Sequence, residues 1–158
     1  MSLAISQKKN SKFIYILLLG LLTGTLDGLS AVILTGGMKV WKYVAGGYFG
    51  KATAMAGGND MIVYGLIFHY CIAFIFSTLF FLLHPMFYSW FRNSFLTGVV
   101  YGVVMWAIMN LAVVPLSALH NLPKTVLGSL EACGILIVAL GLPISYIGTG
   151  YYFYKAKK

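Results

Sequence analysis

The sequence predicts an all-α, polytopic membrane protein with four transmembrane helices and a shorter interfacial helix in the first loop. Of its 158 residues, 60% are hydrophobic and only 9% are charged, which leaves too little polar surface to cover a soluble globular domain. The apolar residues also fall into four runs, each as long as the roughly 20 residues that a helix needs to cross a membrane. We therefore expect one transmembrane bundle over residues 1–158.

Hydropathy and the prolines define the four predicted spans. They cover about residues 13–34, 61–83, 94–116 and 126–147. Proline lacks the backbone N–H that a helix interior needs, so Pro85 is expected to end the second span and Pro115 the third. Pro143 lies within the fourth span and is expected to kink it.

The loop between the first two spans contains a predicted short helix at about residues 38–50. Its apolar residues recur at helical spacing beside Lys39 and Lys42, a pattern typical of a helix in the membrane interface. These residues are Val40, Trp41, Val44 and Tyr48. The glycines of the same loop include Gly46, Gly47, Gly50, Gly57 and Gly58. Glycines most often form turns, and a lid or a re-entrant hairpin over a cavity is the alternative.

The basic residues predict the orientation of the chain. A cytoplasmic N-terminus puts seven of them on the cytoplasmic side, namely Lys8, Lys9, Lys12, Arg92, Lys155, Lys157 and Lys158. The other side then has four, namely Lys39, Lys42, Lys51 and Lys124. Because basic residues accumulate on the cytoplasmic side, we expect a multi-pass protein of the cell inner membrane with both termini in the cytoplasm. This distribution explains the net charge of +8 without a nucleic-acid partner.

Two stripes of glycine predict where the helices touch. Gly20, Gly24 and Gly28 recur every four residues in the first span, as do Gly98 and Gly102 in the third. Small residues let helix backbones approach closely in lipid, where the hydrophobic effect does not hold helices together. We expect these contacts within one monomer, with a homodimer interface as the alternative. The expected partners are the lipid bilayer and either further copies of the chain or a larger membrane complex.

Each predicted span carries one polar side chain in the half that would face away from the cytoplasm. At a rise of about 1.5 Å per residue, Asp27, His69, Asn110 and Glu131 lie at similar depth. Charged groups in hydrocarbon cost at least ~2.5 kcal/mol each and usually have a function. These four residues therefore form the candidate polar cluster.

Four interpretations of this cluster are open. The first is a structural polar network, in which His69 pairs with Asp27 or Glu131 and Asn110 satisfies the remaining groups. The second is a protonatable site, because imidazoles and desolvated carboxyl groups can titrate near neutral pH. The third is a site for a metal or a small polar ligand. The fourth is intramembrane catalysis with His69 as the base.

The sequence favours a protein that is not an enzyme and has no cofactor. It contains no nucleophile elbow, HExxH motif, paired aspartates or phosphate-binding motif. Cys71 and Cys133 lie in apolar segments without the spacing of a redox or zinc site. His84 and His120 are expected to be interfacial residues, so haem ligation is not expected.

Several short segments resemble a group of small, uncharacterised bacterial inner-membrane proteins with four spans. They are residues 24–27, 65–70, 98–102, 114–117 and 129–131, and the resemblance covers most of the chain. A more distant resemblance is to the inner-membrane family described as involved in acid resistance. It is carried by His69, Pro115 and the Ser-Leu-Glu sequence at 129–131, whereas that family's long first connection differs from the one here.

The resemblance implies a small membrane protein that supports acid or proton homeostasis or acts as an accessory subunit. The alternative expectation comes from the polar residues themselves. It is a small ion- or solute-coupled carrier that uses Asp27, His69, Asn110 and Glu131.

Overall fold

The structure, a computed structural model, describes residues 2–120 and 125–156, and the side chains of residues 12–120 and 125–152. The helices are α1 Ser2–Thr35, α2 Lys39–Phe49, α3 Lys51–Ala56, α4 Asp60–Phe91, α5 Ser94–Ala107, α6 Val114–Leu116, α7 Val126–Leu136 and α8 Leu142–Ala156. Two π-helical segments, Ile108–Val113 and Ile137–Gly141, connect α5 to α6 and α7 to α8.

Four helical stretches are long and apolar enough to cross a membrane, and they are called the first to fourth spans here. They are Lys12–Thr35, Asp60–Phe91, Ser94–Leu116 and Val126–Tyr152. The predicted all-α, four-span membrane protein is confirmed in these terms. Consecutive spans run in opposite directions, so Thr35, Asp60, Leu116 and Val126 lie at one end of the bundle, called the Asp60 end. The opposite end is called the Phe91 end.

Side-chain caps fix the starts of the third and fourth spans. Asn93 Oδ1 accepts hydrogen bonds from the backbone N–H groups of Phe95 at 2.8 Å and Leu96 at 3.2 Å. The hydroxyl of Thr125 accepts one from the N–H of Gly128 at 3.2 Å. These caps satisfy N–H groups that have no partner inside a helix, so each span begins at a defined residue.

The second span is longer than predicted, because Pro85 does not end it. The predicted end near residue 83 was wrong, and the helix continues to Phe91. A proline leaves the carbonyl four residues earlier without its helical donor, and here that carbonyl belongs to Phe81. The hydroxyl of Tyr152, near the end of the fourth span, donates to it at 2.7 Å. A neighbouring helix therefore replaces the hydrogen bond that the proline removes.

Both π-helical segments end two residues before a proline, Ile108–Val113 before Pro115 and Ile137–Gly141 before Pro143. A proline ring clashes with the carbonyl four residues earlier, and a wider turn relieves that clash. The third span ends at Leu116 as predicted, one residue after Pro115. The fourth span passes Pro143 and the predicted end at about 147, and reaches Tyr152.

The short helix predicted in the first loop is present as α2 and packs on the second span. Its buried residues are Trp41, Ala45 and Gly46. Gly65 of the second span lies so close to the backbone of Trp41 that any side chain at position 65 would overlap the Trp41 carbonyl. Near the end of α2, the carbonyl of Gly47 accepts a hydrogen bond from the N–H of Ala118 at 2.9 Å. Helix α2 is therefore fixed to the second span and to the segment after the third.

Glycines of the first span allow it to pack closely on the second. A Cβ atom built on Gly24 would lie 2.9 Å from the Cβ of Ala73, and Gly20 packs in the same way against the ring of Phe74. Both glycines are buried. The first and second spans therefore form one closely packed pair.

Glycines of the third span do the same against the fourth. A Cβ built on Gly102 would lie 2.7 Å from the Cα of Ile137, and one on Gly98 would lie 2.9 Å from the carbonyl oxygen of Gly141. These contacts are between helices of one monomer. The third and fourth spans therefore form a second closely packed pair.

A continuous apolar core fills the bundle from its middle towards the Phe91 end. Its buried residues are Leu19, Phe76, Phe80, Phe81, Phe87, Tyr101, Met105, Leu140, Ile144 and Tyr151. Tyr101 is fully buried, and its hydroxyl donates to the carbonyl of Phe76. This hydrogen bond satisfies the one polar group that Tyr101 brings into the core.

Gly102→Ala is expected to destabilise the protein, because the added methyl group would have to displace the backbone at Ile137. Overpacking of this kind costs about 1–3 kcal/mol, whereas alanine favours a helix over glycine by roughly 1 kcal/mol. Thermal unfolding in detergent measures the difference. Gly134→Ala is the matched control, because nothing lies within 4 Å of a Cβ at that position. The control should be at least as stable as the parent, and equal stability of the two variants would contradict the close contact.

Tyr152→Phe should destabilise the protein by about 1–3 kcal/mol, the cost of leaving a buried carbonyl unsatisfied. In the Pro85→Ala background the backbone N–H at position 85 can bond to the Phe81 carbonyl. Tyr152→Phe should then lower the free energy of unfolding much less. Unfolding of the parent, both single variants and the double variant measures this coupling. Strictly additive effects would show that Tyr152 does not compensate for the proline.

Candidate functional site

A cavity of about 260 Å³ lies where the four spans meet, in the half of the bundle nearer the Asp60 end. All four spans contribute to its wall, together with Val44 of α2. Most of the wall is apolar, with Ile72, Phe76, Met109, Ile135, Leu136 and Leu140 among its residues. Asp27 and His69 are the titratable side chains that line it.

His69 joins the second span to the backbone of the first. Its Nε2 lies 2.7 Å from the carbonyl oxygen of Gly24. A carbonyl oxygen can only accept, so Nε2 carries the hydrogen that is donated to Gly24. The imidazole fits here because Gly28 has no side chain, since a Cβ at Gly28 would lie 3.2 Å from Nε2. Gly24 and Gly28 of the glycine stripe and His69 therefore belong to the same contact between the first and second spans.

Two aromatic rings fix the orientation of the imidazole. The centroid of the His69 ring is 5.2 Å from that of Trp41 in α2 and 5.5 Å from that of Tyr70, and both pairs meet edge-on. The hydroxyl of Tyr70 lies 3.0 Å from Oγ1 of Thr25 in the first span. Edge-on contacts of this kind restrict rotation of the ring, so His69 is held in place by three helices.

Asp27 lines the same cavity as His69, three residues after Gly24. In the described part of the chain no hydrogen bond joins the carboxylate directly to the imidazole, whose Nε2 is bonded to Gly24. A carboxylate in apolar surroundings is costly unless it is compensated. Asp27 therefore brings to the cavity a charged acceptor that the hydrogen bond of His69 does not use.

Asn110 and Glu131 lie outside this cavity. The amide Nδ2 of Asn110 donates to the carbonyl of Trp106 in its own helix at 3.1 Å, and Glu131 is exposed on the fourth span. The residues beside them, Met109 and Ala132, line the cavity instead. Two of the four predicted residues, Asp27 and His69, therefore line one cavity. At the other two sites, the neighbouring residue in the sequence lines it instead.

The threonine hydroxyl groups of the cavity wall can only accept further hydrogen bonds, because each already donates its hydrogen to a carbonyl. Thr23 Oγ1 donates to the carbonyl of Leu19 at 2.7 Å, and Thr35 Oγ1 donates to that of Ala31 at 2.7 Å. A hydroxyl has one hydrogen and two lone pairs, so both oxygens can only accept a further hydrogen bond. An ionised carboxylate also only accepts. The polar part of the wall therefore favours a ligand that donates hydrogen bonds.

A second histidine, which the sequence analysis did not assign to a site, is buried towards the Phe91 end. His84, which the sequence predicts to be interfacial, is buried in the protein, and its side chain is only 3% exposed. Its Nε2 lies 2.9 Å from the hydroxyl oxygen of Thr149, and its ring stacks on Tyr152 at 4.4 Å and on Tyr88 at 5.3 Å. The spacing of Phe80, His84 and Tyr88 by four residues was the available signal, since it places all three on one helix face.

The cavity offers one carboxylate, one imidazole and acceptor oxygens in an apolar wall. Such a site can bind a proton or a small hydrogen-bond donor. Among the described residues, no three His, Cys, Asp or Glu side chains are grouped so that they could hold a metal ion. Comparison of the chain with protein-family models, curated proteins and solved structures gave no match.

Proposed function

We propose that this chain is a non-enzymatic protein of the cell inner membrane that supports acid or proton homeostasis, by itself or as an accessory subunit. In this proposal Asp27 and His69 reversibly bind protons inside the bundle. The observation that carries the proposal is that these two titratable side chains share one cavity between membrane-spanning helices. Intramembrane residues of this kind typically mark proton and ion pathways.

The chemistry of the pair supports this role. A carboxyl group and an imidazole can each hold a proton, and Asp27 and His69 line the same cavity. The bond from Nε2 of His69 to Gly24 leaves Nδ1 as the ring nitrogen that can hold a second hydrogen. A proton taken up by one group therefore alters the charge that the other group experiences, which makes the pair sensitive to acid.

The proposed orientation places this cavity on the side that meets external acid. Seven of the basic residues lie on the cytoplasmic side if both termini are cytoplasmic, and four lie on the other. The Asp60 end of the bundle, with the cavity, then faces away from the cytoplasm. The resemblance of His69, Pro115 and residues 129–131 to the acid-resistance family points to the same role.

A small ion- or solute-coupled carrier is the second candidate, favoured by the volume of the cavity. A carrier has to open its site to each side in turn. In this structure the half towards the Phe91 end is filled by buried side chains such as Leu19, Phe80 and Tyr101. Transport would therefore require a second conformation in which these side chains separate.

Asp27→Asn should abolish proton binding by the carboxyl group while keeping a side chain of nearly the same shape. The measurement is infrared difference spectroscopy of the protein in lipid, which follows the C=O band of a protonated carboxyl group as the pH falls. The band that Asp27 contributes should disappear in this variant. His69→Gln should remove the imidazole signal while keeping an N–H donor for Gly24.

Glu131→Gln is the matched control, because Glu131 is a carboxylate of the fourth span outside the cavity. Cells that carry the Asp27→Asn variant should survive acid less well than cells with the control at equal protein abundance, because the side chain at position 27 can no longer bind a proton. An unchanged carboxyl band in Asp27→Asn, or acid survival that only follows abundance, would refute the proposal.

A further inference from the structure

The cavity has a polar side that only accepts hydrogen bonds. Asp27 contributes a carboxylate, and the hydroxyl hydrogens of Thr23 and Thr35 are already bonded to carbonyls of their own helix. Lysine and arginine are not among the residues that line the cavity. A ligand that completes this side has to bring hydrogen-bond donors, and a positive charge would complement the carboxylate.

The remaining wall is apolar and limits the size of a ligand. Ile72, Phe76, Leu136 and Leu140 line the cavity with hydrocarbon and offer only van der Waals contact. The volume of about 260 Å³ lies between the roughly 150 Å³ of a cavity that holds benzene and the roughly 300 Å³ at which drug-sized pockets begin. A compact ligand with one ring and a short polar group matches this space.

We propose that the cavity binds a small organic ammonium ion, with its charged nitrogen at Asp27 and its apolar body against Ile72, Phe76 and Leu136. An inorganic or carboxylic anion would meet Asp27 without a lysine or arginine to offset the repulsion. A metal ion would find two candidate ligands, Asp27 and His69, in a wall that otherwise contains mainly hydrocarbon. A neutral apolar ligand would leave the carboxylate uncompensated.

This inference rests on the proposed function, because the ammonium ion and the proton compete for the same carboxylate. When a protonated Asp27 binds the ammonium ion, one proton leaves the carboxyl group and the charge of the site is conserved. Protonation of His69 adds a positive charge nearby and disfavours the ligand further. Acid therefore releases the ammonium ion, and the ammonium ion displaces the proton.

Benzylammonium is the probe, with benzyl alcohol and benzoate as controls of the same shape that are neutral and negatively charged. Isothermal titration calorimetry on the full chain in lipid nanodiscs should give a Kd of about 0.01–1 mM for benzylammonium. Benzyl alcohol and benzoate should bind at least about tenfold more weakly. Empty nanodiscs measure partition of each probe into lipid, and this contribution is subtracted.

Two variants test the residues. Asp27→Asn should weaken benzylammonium binding by at least about tenfold, whereas Glu131→Gln should change it by no more than about twofold. Ala132→Leu narrows the cavity without removing a charge and should abolish binding as well. Thermal unfolding of each variant shows that it is folded, and the three probes on the parent chain test the proposal even where a variant fails to fold.

Two results separate this inference from the proposed function. If benzylammonium binds no better than benzyl alcohol while the Asp27 carboxyl band still titrates, the ammonium site is refuted and the proton site stands. If benzylammonium binding depends on Asp27 but the carboxyl band is unchanged in Asp27→Asn, the ammonium site stands and the proton role fails. Equal loss of binding in Asp27→Asn and Glu131→Gln would refute the assignment of the site to this cavity.

Discussion

The close approach of helix backbones at glycine is the constraint on which the rest of this structure depends. Apolar side chains gain little by leaving lipid for one another, so packing and hydrogen bonds between helices hold a membrane bundle together. Gly24 and Gly28 bring the first span close enough for His69 to bond to its backbone, and Gly102 brings the third span against the fourth. The cavity lies between these two pairs, so the positions of its walls follow from the glycine contacts.

The sequence predicts how deep a residue lies in this bundle much better than it predicts which way the residue points. The lengths of the apolar runs and the rise per residue of a helix are enough to predict the four spans. The glycine stripes are visible in the sequence as a repeat of four residues. Rotation about each helix axis depends on details that hydropathy does not contain. Glu131 lies one position from Ala132, which lines the cavity, and Asn110 lies within the π-helical segment Ile108–Val113, whose wider turn departs from regular helical spacing. Asp27 and His69 lie on helices without such segments.

The two halves of the bundle accommodate a buried histidine in different ways. Towards the Phe91 end, His84 is enclosed by tyrosine rings, and its Nε2 is bonded to Thr149 within the core. Towards the Asp60 end, Nε2 of His69 is bonded to the carbonyl of Gly24, and the imidazole lines the cavity together with the carboxyl group of Asp27. The burial of His84 was not predicted, because an aromatic face at helical spacing is also typical of a membrane interface.

The hydrogen bond from Tyr152 to Phe81 links two parts of the chain that are made at different times. Ribosomes complete the second span long before they reach residue 152, so the nascent helix meets Pro85 with an unsatisfied carbonyl one turn earlier. In a membrane no water is present in the hydrocarbon region to satisfy that group. The fourth span therefore completes the hydrogen bonding of a helix that is made before it.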